Sequence, residues 1–295
     1  MKVRFWGVRG SIPTPGKSTI RYGGNTPCVE LRAGESILVF DAGSGIRLLG
    51  EALMQEFGSR PLRVHLFISH THWDHIQGFP FFVPAYRSNT TLTIYGPPGR
   101  DKPLERILKD QMEADYFPVA LGDLTPHIDM VEMRQKISLG SLTVEPFYLN
   151  HPAMTLGYRV TAGSASVVYA TDNEPYAYTL VPPGGQRGQA SDFGKSQDQK
   201  FVEFLAGTDL YIAEAQYTLE EYLGGKIGWG HSPIDTIAEF AASGQVKQLA
   251  LFHHDPAHDD AFVDRMVKIT RKKLKTHGSK IPCYAASEGM TVSIP

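Results

Sequence analysis

An α/β fold in which strands and helices share one core is predicted by three observations. Short β-like runs alternate with helical repeats along the chain, strands outnumber helices, and 42% of the 295 residues are hydrophobic, enough for a large interior. The β-like runs are Val3 to Val8, Cys28 to Leu31, Ile37 to Phe40, Val64 to Ile68, Thr91 to Tyr95, Leu142 to Phe147, Gly157 to Val160, Val167 to Ala170, Leu210 to Ala213 and Gln248 to Phe252. Most end in a polar cluster. Apolar residues return at helical spacing at Ile46, Leu49, Leu53 and Phe57, around Leu104 to Met112, at Phe201 to Leu205, at Ile234 to Phe240 and at Phe262 to Leu274. No fixed-period repeat or heptad pattern occurs, so residues 1–295 are expected to form one domain. Within it, VPPGGQRGQASDFGKSQDQ at 181–199 lacks apolar periodicity and is expected to be a long mobile loop, either a lid or a disordered surface insertion.

A formal charge of −2 gives no global basic field, so tight nonspecific nucleic-acid binding does not follow from net charge, although a local basic patch stays open. No apolar stretch approaches the roughly 18 to 20 residues of a membrane span, and the start MKVRFWGVRGSIP lacks the apolar segment of a signal peptide. The cytoplasm is the expected compartment. Cys28 and Cys283 stand far apart without a Cys-x-x-Cys partner, which argues against a disulfide framework or a thiolate zinc site and for buried free thiols.

The densest chemistry lies at residues 70–75, His-Thr-His-Trp-Asp-His, directly after the run Val64 to Ile68. His70, His72, Asp74 and His75 are more ligands than one catalytic metal with an open position needs from a single loop. Two divalent ions are the natural inference, and nitrogen and oxygen donors without thiolate suit zinc or manganese. Alternation along an extended backbone lets His70 and His72 converge on one ion, while Asp74 and His75, on the following turn, are candidates for the second. A two-metal hydrolase holds its ions roughly 3.5 to 4 Å apart about a water that becomes the nucleophile, which the hexapeptide cannot achieve alone. His151, Asp172 and His253 each follow a β-like run and supply the missing donors.

The order H-x-H-x-D-H, distant His, distant Asp, final His resembles that of the metallo-β-lactamase fold superfamily over nearly the whole chain. The resemblance implies an αββα sandwich of two mixed β-sheets flanked by helices. It also implies that His70, His72 and His151 hold one metal, that Asp74, His75 and His253 hold the other, and that Asp172 bridges them. Asp172, where zinc β-lactamases commonly have cysteine, and the missing signal peptide point to the phosphodiesterase branch that includes ribonuclease Z. His231-Ser232, 22 residues before His253, is similar to that branch's His-Ser-Thr element, which implies that His231 assists the leaving alcohol without binding metal. Ala213-Glu214-Ala215-Gln216 looks like its His-Glu-Ala-Thr element with the histidine and threonine replaced, a departure that counts against transfer-RNA processing. Tyr22-Gly23-Gly24-Asn25-Thr26-Pro27-Cys28 and Asp41-Ala42-Gly43-Ser44-Gly45 are similar to the same branch and nominate Asn25 and Asp41. Asp41 either orients a ligand histidine or caps the helix starting near Ile46. The glycines serve turns and close backbone approach. Of the adjacent pair at 253 and 254, His253 is chosen as ligand, leaving His254 and Asp255 with His258 and Asp259 as a supporting or rim cluster. His65, His127 and His277 read as structural or solvated.

The expected activity is hydrolysis of a phosphodiester, a cyclic nucleotide or other small cyclic phosphate. A metal-bridging hydroxide attacks, Asp74 accepts the hydrogen bond of the attacking water, and His231 protonates the leaving oxygen. Trp73, Phe79, Phe81, Tyr86 and Trp229 are candidates for base stacking, set against the core packing usual for aromatics. A ribonuclease or single-strand nuclease is the second reading, with nucleic acid as partner. A nucleotide-binding sensor with little turnover is the third. A thiolester hydrolase or a diiron oxidoreductase ranks lower, the oxidoreductase last for want of a flavin domain and a glutamate in the hexapeptide. No membrane partner is expected, and the resemblance implies a homodimer as the common assembly.

Overall fold

The computed structural model describes residues 1–180 and 191–295. Backbone proximity divides them into two compact units, Met1–Lys136 with Ser287–Ser293 and Pro295, and Ile137–Ala286 with Ile294. In the first, β1 (Lys2–Gly7), β2 (Cys28–Ala33), β3 (Ser36–Phe40), β4 (Leu62–Phe67), β5 (Thr90–Gly96) and β6 (His127–Glu132) form a sheet that the chain's final strand later joins. The second holds β7 (Ile137–Leu139), β8 (Leu142–Leu149), β9 (Thr155–Ala162), β10 (Ala165–Ala170), β11 (Leu210–Glu214), β12 (Leu249–Phe252) and β13 (Cys283–Ala285), after which β14 (Thr291–Ser293) returns to the first sheet.

Both sheets are mixed. The first runs β14-β1-β2-β3-β4-β5-β6, with antiparallel ladders as far as β3 and parallel ones from β3 to β6. The second runs β13-β12-β11-β10-β9-β8-β7, antiparallel from β7 to β10 and parallel from β10 to β13. The central parallel strands are apolar on both faces, as β10 (ASVVYA) and β12 (LALF) illustrate, because helices cover a parallel sheet. In the first unit α1 (Ile46–Phe57) turns Ile46, Leu49 and Leu53 into a cluster with Val39, Val64, Leu66 and Leu92, fixing β3 and β4 beneath it. The one-turn α2 (Trp73–Ile76) and α3 (Leu104–Asp110) belong to the same unit. The second carries α4 (Tyr176–Thr179), α5 (Asp192–Leu205), α6 (Leu219–Leu223), α7 (Ile234–Ser243) and α8 (Asp260–Thr276). None of the described helices is long and apolar enough to cross a membrane.

The expected loop at 181–199 divides in two. Residues 181–190 lie outside the described residues, whereas 192–199 form the first turns of α5. Ser191 caps that helix, its Oγ accepting from the Gly194 N–H at 3.0 Å, and Asp198 accepts from the N–H groups of Tyr176 and Ala177 at 2.8 and 2.9 Å. Its early turns are mostly exposed and polar, so no apolar periodicity marks them in the sequence.

α7 ends in a Schellman arrangement: Val246 N–H donates to Ala241 O at 3.2 Å and Gln245 N–H to Ala242 O at 3.1 Å. Gln245 occupies the left-handed position, φ 50°, that glycine ordinarily fills, and its side chain is exposed. Gln245→Gly is therefore expected to stabilise the protein by about 0.5–1 kcal/mol, raising the thermal midpoint by roughly 2 °C in calorimetry. A lowered midpoint would show that the Gln245 side chain contributes more than its backbone conformation costs.

Candidate metal centre

The carboxyl ends of the parallel strands carry the charged and imidazole side chains of both units, the position where an open α/β sheet leaves room for a ligand. In the first unit Asp41 follows β3 and the segment Ser69–Ile76 follows β4. Asp41, fully buried, accepts from the Ser69 N–H at 2.6 Å and from Ser69 Oγ at 2.8 Å. Its Oδ2 also lies 2.8 Å from His75 Nδ1. A carboxylate only accepts, so the His75 proton sits on Nδ1 and Nε2 keeps its lone pair. Ser69 gives its only proton to Asp41, and its oxygen lies 3.1 Å from His70 Nδ1, which fixes the same tautomer on His70. Asp41 thus orients two of the hexapeptide's histidines and does not serve as the side-chain cap of α1, whose cap residue is Gly45.

The rest of the hexapeptide follows from the turn after β4. His72 precedes α2 with extended ψ, and its ring meets that of His70 edge-on at 4.5 Å between centroids. Asp74 accepts from the Ser11 N–H at 2.7 Å and lies 3.2 Å from His75 Nε2. Gly43 runs against this turn so closely that a β-carbon there would lie 2.3 Å from the Asp74 carbonyl oxygen, an absolute requirement for glycine. Asn25 is held elsewhere: it donates to Glu288 at 3.0 Å and accepts from Ser44 Oγ at 2.9 Å, bracing its own loop.

The second unit repeats the device. His151, after β8, presents Nδ1 to the Gly230 carbonyl at 2.9 Å, which again leaves Nε2 bare. Gly230, φ 87°, has no room for a side chain, since a β-carbon would sit 2.1 Å from His151 Nδ1. Its loop is anchored by buried Glu174, which accepts from Tyr222 Oη at 2.6 Å, Gly228 N at 2.7 Å and Gly230 N at 2.8 Å. His253, after β12, gives Nδ1–H to Gln216 Oε1 at 2.9 Å, and the Gln216 amide nitrogen faces Asp255 at 3.5 Å. His253 Nε2 lies 3.3 Å from Asp172 Oδ1, and Thr171 Oγ1 donates to the same oxygen at 2.6 Å.

His254 turns the other way, onto the Ala286 carbonyl at 3.1 Å. His258 pairs with Glu221 at 2.8 Å, and Asp259 caps α8 through the Phe262 N–H at 2.7 Å.

His231 stands beside these groups. Its Nδ1 is 2.8 Å from Glu214 Oε2 and 4.0 Å from Asp172 Oδ2. Glu214, completely buried, accepts on its other oxygen from Asn173 N at 2.8 Å and Ser232 N at 2.9 Å. Burial first, and the Asp172 charge second, push the Glu214 carboxyl well above the usual carboxylate range. Ser232 is buried and spends its hydroxyl on the Asn173 carbonyl. Donor atoms of His151, Asp172 and His231 lie within 4.8 Å of one another, as do those of Glu214, His231 and His253.

Two features fit a cation. In both units an imidazole Nε2 faces a carboxylate oxygen, at 3.2 Å for His75 and Asp74 and 3.3 Å for His253 and Asp172, while Nδ1 is engaged by another acceptor. Such pairs repel unless positive charge lies between them, and nitrogen and oxygen donors of this kind are those that divalent metals take. Ser69, Glu174, Gln216 and Tyr222 are the side chains that sequence reasoning missed. Ser69, adjoining the hexapeptide, and Gln216, in the Ala213-Glu214-Ala215-Gln216 element, carried a signal.

Comparison with known proteins bears on the same residues. Residues 37–254 match the beta-lactamase superfamily domain. Ribonuclease Z of Pyrococcus furiosus is 24% identical over 289 residues, covering 88% of this chain and 87% of its own. The metallo-beta-lactamase fold protein YhfI from Bacillus subtilis aligns with 99% of both chains at a TM-score of 0.65 and 20% identity. A diphosphatase from the PhnP family aligns over 99% of this chain and 97% of its own at a TM-score of 0.66 and 16% identity. The matched span runs from before Asp41 to beyond His253, taking in every strand end that carries these side chains, and the chain therefore belongs to the beta-lactamase superfamily, as an enzyme of its metallo-hydrolase fold.

Proposed function

We propose that this protein is a dinuclear-metal phosphodiesterase acting on a cyclic nucleotide or another small phosphodiester, with its two compact units working as one catalytic domain. The observation that carries the reading is the pairing of imidazole nitrogens with carboxylates, because it draws positive charge to the strand ends and offers the donors a divalent ion takes. The superfamily's ligand order supports His70, His72 and His151 for one ion, Asp74, His75 and His253 for the other, and Asp172 between them. Two divalent cations would supply a nucleophile from water at neutral pH and neutralise charge on the phosphoryl oxygens; zinc and manganese both suit the donors.

The chain's own residues do the rest. Asp74 accepts the hydrogen bond of the attacking water. Asp41 and Ser69 hold His75 and His70 with Nε2 forward. His231 keeps its Nδ1 proton on Glu214 and directs Nε2 to the departing oxygen, where as imidazolium it donates the proton that completes P–O cleavage. Glu214, held by two backbone N–H groups, accepts from His231 Nδ1 and fixes its ring. Lys226 stacks over Trp229 at 3.8 Å, placing a cation and an aromatic ring in the His231 loop, where a phosphate ester can meet both.

The Pyrococcus furiosus relative favours a second reading, a ribonuclease of the ribonuclease Z type. Against it stands the altered element Ala213-Glu214-Ala215-Gln216, in which Gln216 has become the partner of His253. The deciding experiment assays bis-p-nitrophenyl phosphate, cyclic nucleotides, short RNA and a lactam, with metal content measured in parallel. Two ions per chain, chelator-sensitive hydrolysis of cyclic nucleotides and intact RNA are expected; cleaved RNA with untouched cyclic nucleotides would select the nuclease. A protein that binds no divalent metal would end the reading.

Two substitutions separate the roles. His231→Ala is expected to lower kcat by about 10²- to 10⁴-fold while metal content stays unchanged. Hydrolysis at the parental rate would remove His231 from the proton transfer. Asp41→Ala is expected to weaken metal retention by about 10- to 100-fold in competition with a chelator, through lost orientation of His75 and Ser69. Undiminished retention would reduce Asp41 to a structural role.

A further inference from the structure

Beside the hexapeptide, and within the first unit alone, a cleft of 560 Å³ opens between the turn that carries the metal-binding side chains and the segment around α3. Its size lies in the range of small-molecule sites, about 300 to 1,000 Å³. Thr71 and Trp73, which flank His72, form one wall, and Phe81, Ile107, Tyr116 and Phe117 line the rest. Trp73 is 83% exposed, Tyr116 77% and Phe81 54%, a concentration of bare aromatic surface that folding does not use. Phe81 and Phe117 hold one another edge to face at 5.4 Å between centroids, so the wall is preformed.

Thr71, Gln77, Lys102, Asp110 and Gln111 are the polar side chains of the lining. Gln111, which lines the cleft, has a buried amide nitrogen that makes no hydrogen bond among the described residues. Leaving such a donor unmade costs about 1–3 kcal/mol, so turning the buried amide into the cleft to meet a ligand acceptor would be favourable. Lys102 is committed to Asp110 at 2.6 Å and supplies no free charge.

We propose that this cleft is the subsite for a nucleobase of the phosphodiester substrate, the ring stacking on Trp73 and Phe81 and accepting a hydrogen bond from the Gln111 amide. The assignment rests on the phosphodiesterase reading and specifies the organic part of the substrate. Flat aromatic walls with one amide donor match a heteroaromatic ring. An alkyl chain has no acceptor for Gln111, and a sugar lacks the planar π-face that stacks flat on an aromatic ring. Trp73 also stands between His72 and Asp74 in the chain, so the cleft adjoins the turn that carries them.

The test is a fluorescence titration of the metal-loaded protein, set beside steady-state kinetics. Adenosine 5′-monophosphate should quench tryptophan emission, the quench should vanish in Trp73→Phe, and ribose 5-phosphate should produce none. Phe81→Ala is expected to raise KM for a cyclic nucleotide by roughly tenfold with kcat preserved, the signature of lost stacking. Gln111→Leu should keep the thermal midpoint and lose the preference for adenosine 5′-monophosphate over ribose 5-phosphate.

Equal binding of the two monophosphates, or an unchanged KM in Phe81→Ala beside intact hydrolysis, overturns the subsite and spares the phosphodiesterase. Base-dependent quenching in a protein that hydrolyses no phosphodiester overturns the catalytic reading and keeps the nucleobase site. Quenching by a fatty acid or another alkyl amphiphile in preference to the nucleotide assigns the cleft to an apolar chain and defeats the proposal.

Discussion

An imidazole can present a lone pair forward only if something behind it takes the other nitrogen's proton, and most of the local structure answers that demand. Asp41 receives it from His75, Ser69 from His70, the Gly230 carbonyl from His151, Gln216 from His253 and Glu214 from His231. Four different chemical groups perform one task, so the requirement lies on position and accepting character more than on residue type. Asp41 and Glu214 are in turn held by backbone N–H groups, Ser69 by Asp41 and Gln216 by the side chains of Tyr217 and Asp255. That requirement places Glu174, which touches none of these rings, on three donors of the Tyr222–Gly230 segment and so decides where the Gly230 carbonyl points.

The arrangement has a backbone cost. Among the described residues five non-glycine positions take positive φ, and three of them, Asp41, Asp172 and His253, lie just past strand ends that carry these side chains. Left-handed backbone costs a non-glycine residue about 1–2 kcal/mol. Asp41 repays part of it through three hydrogen bonds, whereas Asp172 and His253 face one another as acceptors at 3.3 Å. Strain and unbalanced charge at the same atoms locate function better than either does alone, because each has a structural explanation that fails when both occur together.

What the sequence disclosed and what it concealed divide along burial. All ten expected β-runs are strands, each buried well enough to stamp an apolar pattern on its residues. The four strands that went unread, β6, β7, β13 and β14, are the four sheet edges. β6 has no buried residue, and the other three are only three residues long, so pairing and not side-chain packing defines them. The candidate site divides in the same way. Its histidines and aspartates were legible because their residue types cluster next to strands. Glu174 was not, since an acid is ordinary in sequence and acquires meaning only from partners 54 and 56 residues away, and Gln216, although it stands in a recognisable element, takes its role from His253, 37 residues on.

A repeat that sequence periodicity does not reveal is present in the connections. Counted from its edge, each sheet has three antiparallel ladders and then three parallel ones, so β3 in the first corresponds to β10 in the second. Asp41 follows β3 and Asp172 follows β10, with φ of 61° and 54°. One topological position therefore carries one residue type in one strained conformation twice. The two have diverged in what surrounds them. Asp41 is saturated by Ser69 and His75 and has been drawn into orienting other side chains. Asp172 keeps a carboxylate whose neighbours are Thr171 and the imidazoles of His151, His231 and His253, the last three at 3.9, 4.0 and 3.3 Å. The surrounding donors, not the strand end itself, decide that the first aspartate supports its neighbours while the second faces three imidazoles.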